Sequence, residues 1–173
     1  MTTPGQTVGP FFGYALPFPG DGELVPASHL DSVRLTGRVL DGDGEPVPDA
    51  LIEIRQADAD GDVPCVEGSL RRDGYTFTGW GRAATDRTGR YSFTTIRPGA
   101  VDGPPFIAMT VFARGLLDRL FTRVYLADAA DDLLRALTPE RRRTLIAVDD
   151  GDALVFDIRL QGPAETVFLD VAG

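Results

Sequence analysis

Short apolar runs separated by turn-forming residues follow one another along most of the chain after its first 32 residues. Apolar and polar side chains alternate clearly in LIEIRQ at residues 51–56 and again in LVFDIRL at residues 154–160. A period of two is typical of a strand with one buried face. The pattern predicts strands over residues 33–40, 51–56, 90–95, 106–113, 120–126, 143–148 and 153–160, the last two forming a hairpin around the turn DDGD.

A single helix is predicted over residues 129–137, where apolar side chains recur at spacings of three and four. Asp128 is the predicted N-terminal cap, and Pro139 follows the predicted end of the helix. Seven or eight short strands with one short helix predict an all-β fold, a two-sheet β-sandwich.

The first 32 residues show no sustained period and are predicted to form an extended N-terminal arm, with residues 33–173 forming the sandwich domain. The arm carries five large apolar side chains among glycines and prolines: Phe11, Phe12, Tyr14, Leu16 and Phe18. Such a segment either folds back over its own domain or covers another chain. The residues alone leave both alternatives open.

Composition narrows the range of partners and compartments. All 17 basic residues are arginines, and 26 acidic residues outnumber them to give a formal net charge of -9. This charge disfavours nucleic acid, because binding to phosphates needs a basic surface. The lone cysteine, Cys65, has no partner for an internal disulfide, and no apolar run approaches the ~18 residues of a membrane span. We predict a soluble, cytoplasmic protein.

Two common kinds of metal-binding motif are incomplete in this sequence. An acidic run beginning at Asp58 resembles the start of a calcium loop, but Val63 and Ser69 stand where an EF-hand loop needs Gly and Glu. A solvated turn is predicted there instead. His29 is the only histidine, which excludes a histidine-based zinc or iron site within this sequence.

Three longer motifs carry a family resemblance: PGQTVGPFF near the start, VFARG at residues 111–115 and FDIRLQGPAETVFLD at residues 156–170. With them the chain resembles, in order and over nearly its whole length, the alpha subunits of the protocatechuate 3,4-dioxygenases in the intradiol ring-cleavage dioxygenase family. The resemblance implies a β-sandwich whose N-terminal arm packs on a beta subunit. It also implies a higher-order hetero-oligomer of alpha–beta protomers.

The resemblance further implies that Fe(III) is bound by the beta subunit rather than by this chain. The family's catalytic chains hold non-haem iron with two tyrosinates and two histidines. Those positions carry over to Val63, to Val101 or the adjacent Ala100, with Val101 preferred, and to Phe106 and Ala108 here. None of these side chains has a lone pair for a metal. We therefore expect no metal site in this chain, and a dry, packed core where the site would be.

The implied activity is intradiol cleavage of protocatechuate by O2 to 3-carboxy-cis,cis-muconate on the beta subunit's iron. This chain is expected to supply no catalytic residue but part of the pocket wall around the aromatic acid, through Gly9, Pro10 and Arg114. An interface ion pair is the alternative role for Arg114. Gln56 and Arg123 are interpreted as framework residues.

Two other functions remain open from the sequence. One is a stand-alone catechol intradiol dioxygenase, which the four apolar replacements disfavour. The other is a non-enzymatic β-sandwich binding module, which leaves the aromatic arm without a purpose. The sequence fixes neither the number of alpha–beta protomers nor the selectivity among related dihydroxybenzoates.

Overall fold

Nine strands and three short helices form the regular structure of residues 9, 11–66 and 72–170, the part of the chain that the computed structural model describes. The strands are β1 (Ser32–Leu40), β2 (Leu51–Arg55), β3 (Trp80–Ala84), β4 (Arg90–Ile96), β5 (Phe106–Phe112), β6 (Leu120–Tyr125), β7 (Val148–Asp149), β8 (Ala153–Val155) and β9 (Ile158–Arg159). The helices are α1 (Phe12–Ala15), α2 (Asp132–Ala136) and α3 (Pro139–Arg143). Within the described ranges no helix is long and apolar enough to cross a membrane.

The strands form two sheets, which confirms the predicted all-β sandwich. The first sheet has the order β4-β1-β8-β7, with β9 pairing with the far end of β1. The second sheet has the order β3-β2-β5-β6, and all of its pairs are antiparallel.

The main core lies between the inner faces of these two sheets. In β5, Ile107, Met109 and Val111 are buried against it, whereas Phe106 and Ala108 alternate with them and lie on the outer face. Leu35 and Val39 of β1 are fully buried from the opposite side. Alternate residues of a strand are buried against this core, which is why apolar and polar side chains alternate in the sequence.

A second, smaller apolar cluster covers part of the outer face of the second sheet. Tyr125 lies directly opposite Phe106 in the β5–β6 register, so both side chains project to that outer face. There Tyr125 packs with buried Leu134 of α2 and buried Leu145 after α3. Helix α2 and the residues after α3 therefore shield one end of this face, and near β3 Phe18 of the arm stacks on Trp80.

The predicted arm, residues 1–32, divides into parts with different environments in this chain. The Arg82 N–H donates to the Asp21 carbonyl at 2.9 Å, and the Leu24 N–H donates to the Thr94 carbonyl at 2.8 Å. Residues 21–25 thus bridge the edge strands β3 and β4 of the two sheets, with the side chain of Leu24 buried. Phe11 and Tyr14, in contrast, are 75% and 87% exposed. Residues 1–8 and 10 lie outside the described residues.

Several element predictions need correction. One helix was predicted, but the described residues form three, and α1 lies within the arm that was predicted to be extended. The helix predicted over residues 129–137 is the shorter α2, and its cap is Asp131 rather than Asp128. The predicted strand over residues 143–148 is wrong for most of its length, because α3 ends at Arg143 and only β7 pairs with β8 as a hairpin. Strand β3 was not predicted.

Candidate functional site

A pocket of about 400 Å³ opens on the outer face of the second sheet, beside the start of β5. The loop after β2, the loop after β4 and the residue before α2 form its rim. It is lined by Arg55, Gln56, Ala57, Val63, Gly99, Val101, Asp102, Gly103, Pro104, Pro105, Phe106, Ala108, Arg123 and Asp131.

The four positions that the resemblance assigned to metal ligands all line this one pocket. Val63 comes from the loop after β2, Val101 from the loop after β4, and Phe106 and Ala108 from β5. Their side chains offer only carbon, so the donor set does not fit a ferric ion. In residues 9, 11–66 and 72–170 no group of three or more His, Cys, Asp or Glu side chains is arranged to hold a metal ion.

The expectation that this place is a dry, packed core is wrong. Val63 and Val101 are 50% and 54% exposed, and the pocket they line is open to solvent. The physical reason is the position of the pocket in the fold. It lies on the outer face of the second sheet, away from the core between the sheets, and α2 covers only the neighbouring Phe106–Tyr125 pair.

The floor of the pocket is a row of three side chains from adjacent strands. Ala108 of β5 is in register with Arg55 of β2 on one side and with Arg123 of β6 on the other. Directly paired residues project to the same face of a sheet. Two arginine positions therefore lie on either side of Ala108, and the small side chain of Ala108 leaves space between them.

Each arginine has part of its hydrogen-bonding capacity occupied. Arg123 stacks its guanidinium 4.3 Å from the ring centre of Phe106 and donates to the Tyr125 hydroxyl at 3.2 Å. Arg55 donates to the Pro64 carbonyl at 2.9 Å. A guanidinium carries five N–H donors, so both arginines retain donors beyond these contacts.

Gln56 is both a framework residue and a pocket residue. Its amide nitrogen donates to the Ile96 carbonyl at 2.9 Å, and its amide oxygen accepts from the Thr95 hydroxyl at 2.8 Å. These bonds tie the end of β2 to the end of β4 and bury the amide. They hold the two strand ends from which the loops bearing Val63 and Val101 depart.

A polar contact closes the side of the pocket nearest α2. The Tyr125 hydroxyl donates to Asp131 Oδ1 at 3.0 Å, and the same oxygen accepts the Leu133 N–H at 2.8 Å. Burial raises the pKa of Tyr125, so its hydroxyl remains protonated and available to donate near neutral pH. Asp131 thereby fixes the start of α2 against β6.

The residues predicted to face a partner's pocket lie away from this chain's own pocket. Arg114 follows the far end of β5, is 66% exposed at its side chain, and forms an ion pair with Asp49 at 2.6 Å. Gly9 has a φ of +78°, and a Cβ built there would meet nothing within 4 Å. Pro10 lies outside the described residues. The structure brings neither Gly9 nor Arg114 to the pocket beside β5.

Sequence reasoning missed Arg55 altogether and read Arg123 as framework. The only signal for their role is the register that aligns them with Ala108, and a single sequence leaves strand register open.

Comparison with known proteins identifies the family to which this chain belongs. A family model described as Dioxygenase matches residues 27–162. The protocatechuate 3,4-dioxygenase alpha chain of Burkholderia cepacia is 42% identical over 98% of this chain and 97% of its own length. This chain belongs to the intradiol dioxygenase family. The family uses Fe(III).

Two more relatives of this intradiol dioxygenase chain represent both kinds of subunit. The protocatechuate 3,4-dioxygenase alpha chain of Pseudomonas putida is 36% identical over 97% of this chain and 96% of its own length. The beta chain of the Burkholderia cepacia enzyme is 35% identical over 76% of this chain and 65% of its own.

Solved structures share the fold of this family member. The dioxygenase domain of a dioxygenase–carbohydrate-binding fusion from Streptomyces sp. SirexAA-E superposes with a TM-score of 0.61 at 24% identity, covering 92% of this chain and 98% of that one. Catechol 1,2-dioxygenase from Acinetobacter sp. ADP1 gives a TM-score of 0.56 at 21% identity, covering 79% and 55%. At these identities the likeness establishes the sandwich fold.

Proposed function

We propose that this chain is the alpha subunit of a protocatechuate 3,4-dioxygenase, an accessory to a beta subunit that binds the iron. One observation carries the proposal: the chain matches alpha chains over nearly its whole length, while its own pocket gathers Val63, Val101, Phe106 and Ala108 without a donor atom among them. In this proposal the chain forms alpha–beta protomers that assemble into a higher-order hetero-oligomer. The oligomer lies in the cytoplasm, where the lone cysteine stays reduced.

The proposed location of the iron follows from donor chemistry. A set of two tyrosinates and two histidines needs two imidazoles, and this sequence contains one histidine, His29, on a loop before β1. Cleavage of protocatechuate by O2 to 3-carboxy-cis,cis-muconate is therefore assigned to the beta subunit's Fe(III). The same shortage of donors argues against a stand-alone catechol dioxygenase.

This chain's own contribution is proposed to be part of the wall of the beta subunit's pocket, from Gly9, Pro10 and Arg114. The open surroundings of Gly9 support a close approach by a flat ring, because no Cβ stands in the way. The exposed guanidinium of Arg114 supports attraction of an aromatic carboxylate in a protein that is otherwise strongly negative.

The exposed aromatic side chains of the arm support a partner surface. Phe11 and Tyr14 lie next to the proposed wall residues in the chain and are mostly exposed. Aromatic side chains are enriched where two proteins meet, because they bury large areas at low entropic cost. We place them against the beta subunit.

Co-expression with a beta subunit tests the proposal. Affinity capture of this chain is expected to recover the beta subunit in equal amount, and oxygen uptake with protocatechuate is expected only from the pair. Each subunit purified separately is the control. Ring cleavage by this chain alone, or its failure to associate with a beta subunit, would overturn the proposal.

A further inference from the structure

We propose that the pocket beside β5 is a non-catalytic binding site for a small planar aromatic carboxylate. This goes beyond the function proposed above, because the site lies within this chain and needs neither the beta subunit nor its iron. Three observations support the inference. The walls of the pocket are apolar, a partly buried arginine lies beside them, and the lining formed by the described residues has no hydroxyl, thiol, amine or imidazole side chain.

The walls suit a flat apolar body of small size. Val63, Val101, Phe106 and Ala108 give carbon surfaces on several sides, and about 400 Å³ falls at the lower end of the range for small-molecule sites. The Phe106 ring and the neighbouring prolines, Pro104 and Pro105, add flat surfaces, which pack well against an aromatic ring.

The arginines beside Ala108 supply positive charge that no carboxylate of the described residues pairs with directly, since Asp131 is linked to Arg123 only through the Tyr125 hydroxyl. Arg123 is half-buried beneath the pocket, and neither it nor Arg55 forms an ion pair within the described ranges of the chain. Removing a cation from water is costly unless an anion compensates it. A guanidinium fork matches a carboxylate through two parallel N–H···O bonds. Arg55 and Arg123 are in register with Ala108 on the two neighbouring strands, so a carboxylate above that methyl group would lie between the two arginine positions.

The acidic lining residues limit the ligand to a single negative charge. Asp131 lies at one side, with Oδ1 engaged by the Tyr125 hydroxyl and the Leu133 N–H, and Asp102 is exposed at the mouth. A second negative group on the ligand would approach these carboxylates and be repelled. A monocarboxylate of the benzoate type fits the balance of charges better than a dianion.

The lining has no group that would convert such a ligand. The lining residues include no Cys, Ser, Thr, His or Lys, so the wall that the described residues form offers no hydroxyl, thiol, amine or imidazole. Its two carboxylates are Asp131, engaged with the Tyr125 hydroxyl and the Leu133 N–H, and Asp102, which is exposed. The ligand would be held and released unchanged.

Titration of the full-length chain with 4-fluorobenzoate, followed by fluorine NMR, tests the site. Saturable binding of 4-fluorobenzoate is expected. The neutral isostere 4-fluorobenzamide should bind about tenfold more weakly, because it lacks the negative charge that the arginines attract. Arg123→Gln should weaken 4-fluorobenzoate about tenfold by the same reasoning. Arg119→Gln is the matched control, since its guanidinium also stacks on a phenylalanine, 4.9 Å from the ring centre of Phe121, but outside the pocket.

A steric variant keeps the test decisive if removal of a charge disturbs folding. Ala108→Leu fills the space between the two arginines without changing charge, and it should abolish saturable binding. Circular dichroism and a thermal melt check the fold of each variant. The titration is repeated on the alpha–beta complex, where Ala108→Leu should remove one site per alpha chain and leave binding at the iron intact.

Several results would overturn the proposal. These are the lack of saturable binding, equal affinity for the amide and the carboxylate, or wild-type affinity in folded Arg123→Gln and Ala108→Leu. Equal affinity for acetate would also overturn it, because the apolar walls would then contribute nothing. Association with a beta subunit does not enter this test, so its outcome is separate from that of the proposed function.

Discussion

At the scale of single residues, the chemistry of the pocket depends on four carbon side chains and two guanidiniums. The resemblance predicted that Val63, Val101, Phe106 and Ala108 occupy one former ligand set, and the structure gathers them in one pocket. Because Val63 and Val101 are about half exposed, these replacements change the donor chemistry of an open pocket rather than the packing of a core.

Arg114→Ala tests the proposed wall of the partner's pocket. The exposed ion pair with Asp49 contributes little to stability, so the variant should fold normally. We expect the KM of the alpha–beta enzyme for protocatechuate to rise roughly fivefold, or association of the subunits to weaken by a similar factor. Steady-state kinetics and a subunit binding assay measure the two effects.

Arg135→Ala is the matched control for Arg114, because Arg135 is also an exposed arginine paired with an aspartate. It should change neither KM nor association. If Arg114→Ala also leaves both unchanged, Arg114 is removed from the proposed site.

Tyr91 provides a test of buried hydrogen bonding and of pH dependence. Its hydroxyl donates to the Phe156 carbonyl at 2.5 Å, and full burial raises its pKa well above the usual 10.0, helped by the charge of Asp157. The unfolded chain loses this proton near pH 10 while the folded chain keeps it. The stabilisation from Tyr91 is therefore complete below pH 10, and above it Tyr91 should lower the free energy of unfolding by about 1.4 kcal/mol per pH unit.

Tyr91→Phe should cost about 1–3 kcal/mol in the free energy of unfolding at neutral pH, since the Phe156 carbonyl loses its partner. It should also reduce the loss of stability between pH 10 and 11. Urea unfolding at several pH values measures both effects, with exposed Tyr75→Phe as control. An unchanged pH dependence in Tyr91→Phe would contradict this account of the tyrosine.

At the scale of elements, prediction succeeded where one face of a strand carries large apolar groups and failed where local signals were weaker or misread. In β3 the inward positions are Gly81 and Ala83, which give no visible apolar alternation. Gly81 is needed because Leu24 packs against it from the arm, a long-range contact that the local pattern does not reveal.

Helix α3 shows the opposite case, because the sequence contains a clear helix-start signal there but the apolar residues that follow favoured a strand. Thr138 caps the helix through its side chain, and Pro139 occupies the first turn, an arrangement typical of helix starts. The arginine run that ends at Arg143 was assigned in part to a strand because of the apolar residues that follow it. Of those residues, Leu145 and Ile146 pack on the outer face of the second sheet, in the cluster that contains Tyr125, while Ala147 enters the main core.

Asp131→Ala tests how α2 is fixed beside the pocket. The variant removes the side-chain cap on the Leu133 and Leu134 N–H groups and the acceptor of the Tyr125 hydroxyl. The free energy of unfolding should fall by about 1–2 kcal/mol.

Asp132→Ala is the matched control, since that carboxylate is exposed and, among the described residues, forms an ion pair only with nearby Arg135. Its effect should stay within about 0.5 kcal/mol. Chemical denaturation of both variants measures the difference, and equal losses would argue against a capping role for Asp131.

At the scale of the whole molecule, the chain is a two-sheet sandwich whose N-terminal arm is partly packed on the sheets and partly exposed. Residues 21–25 join the edges of the two sheets, while Phe11 and Tyr14 before them remain exposed. The sequence predicted an apolar arm but left its destination open, because a folded-back and a partner-bound segment have the same composition. The structure shows that one part folds back, and the exposed part fits the proposed contact with a beta subunit.

The central claim is that the beta subunit, and not this chain, binds the iron. The iron content of this chain purified alone and of the alpha–beta complex tests it most directly. After expression in iron-supplemented medium, metal analysis is expected to find no iron above background in this chain and about one iron per alpha–beta pair in the complex. The visible absorption of a tyrosinate–iron site should accompany only the complex. Stoichiometric iron in this chain alone would contradict the account.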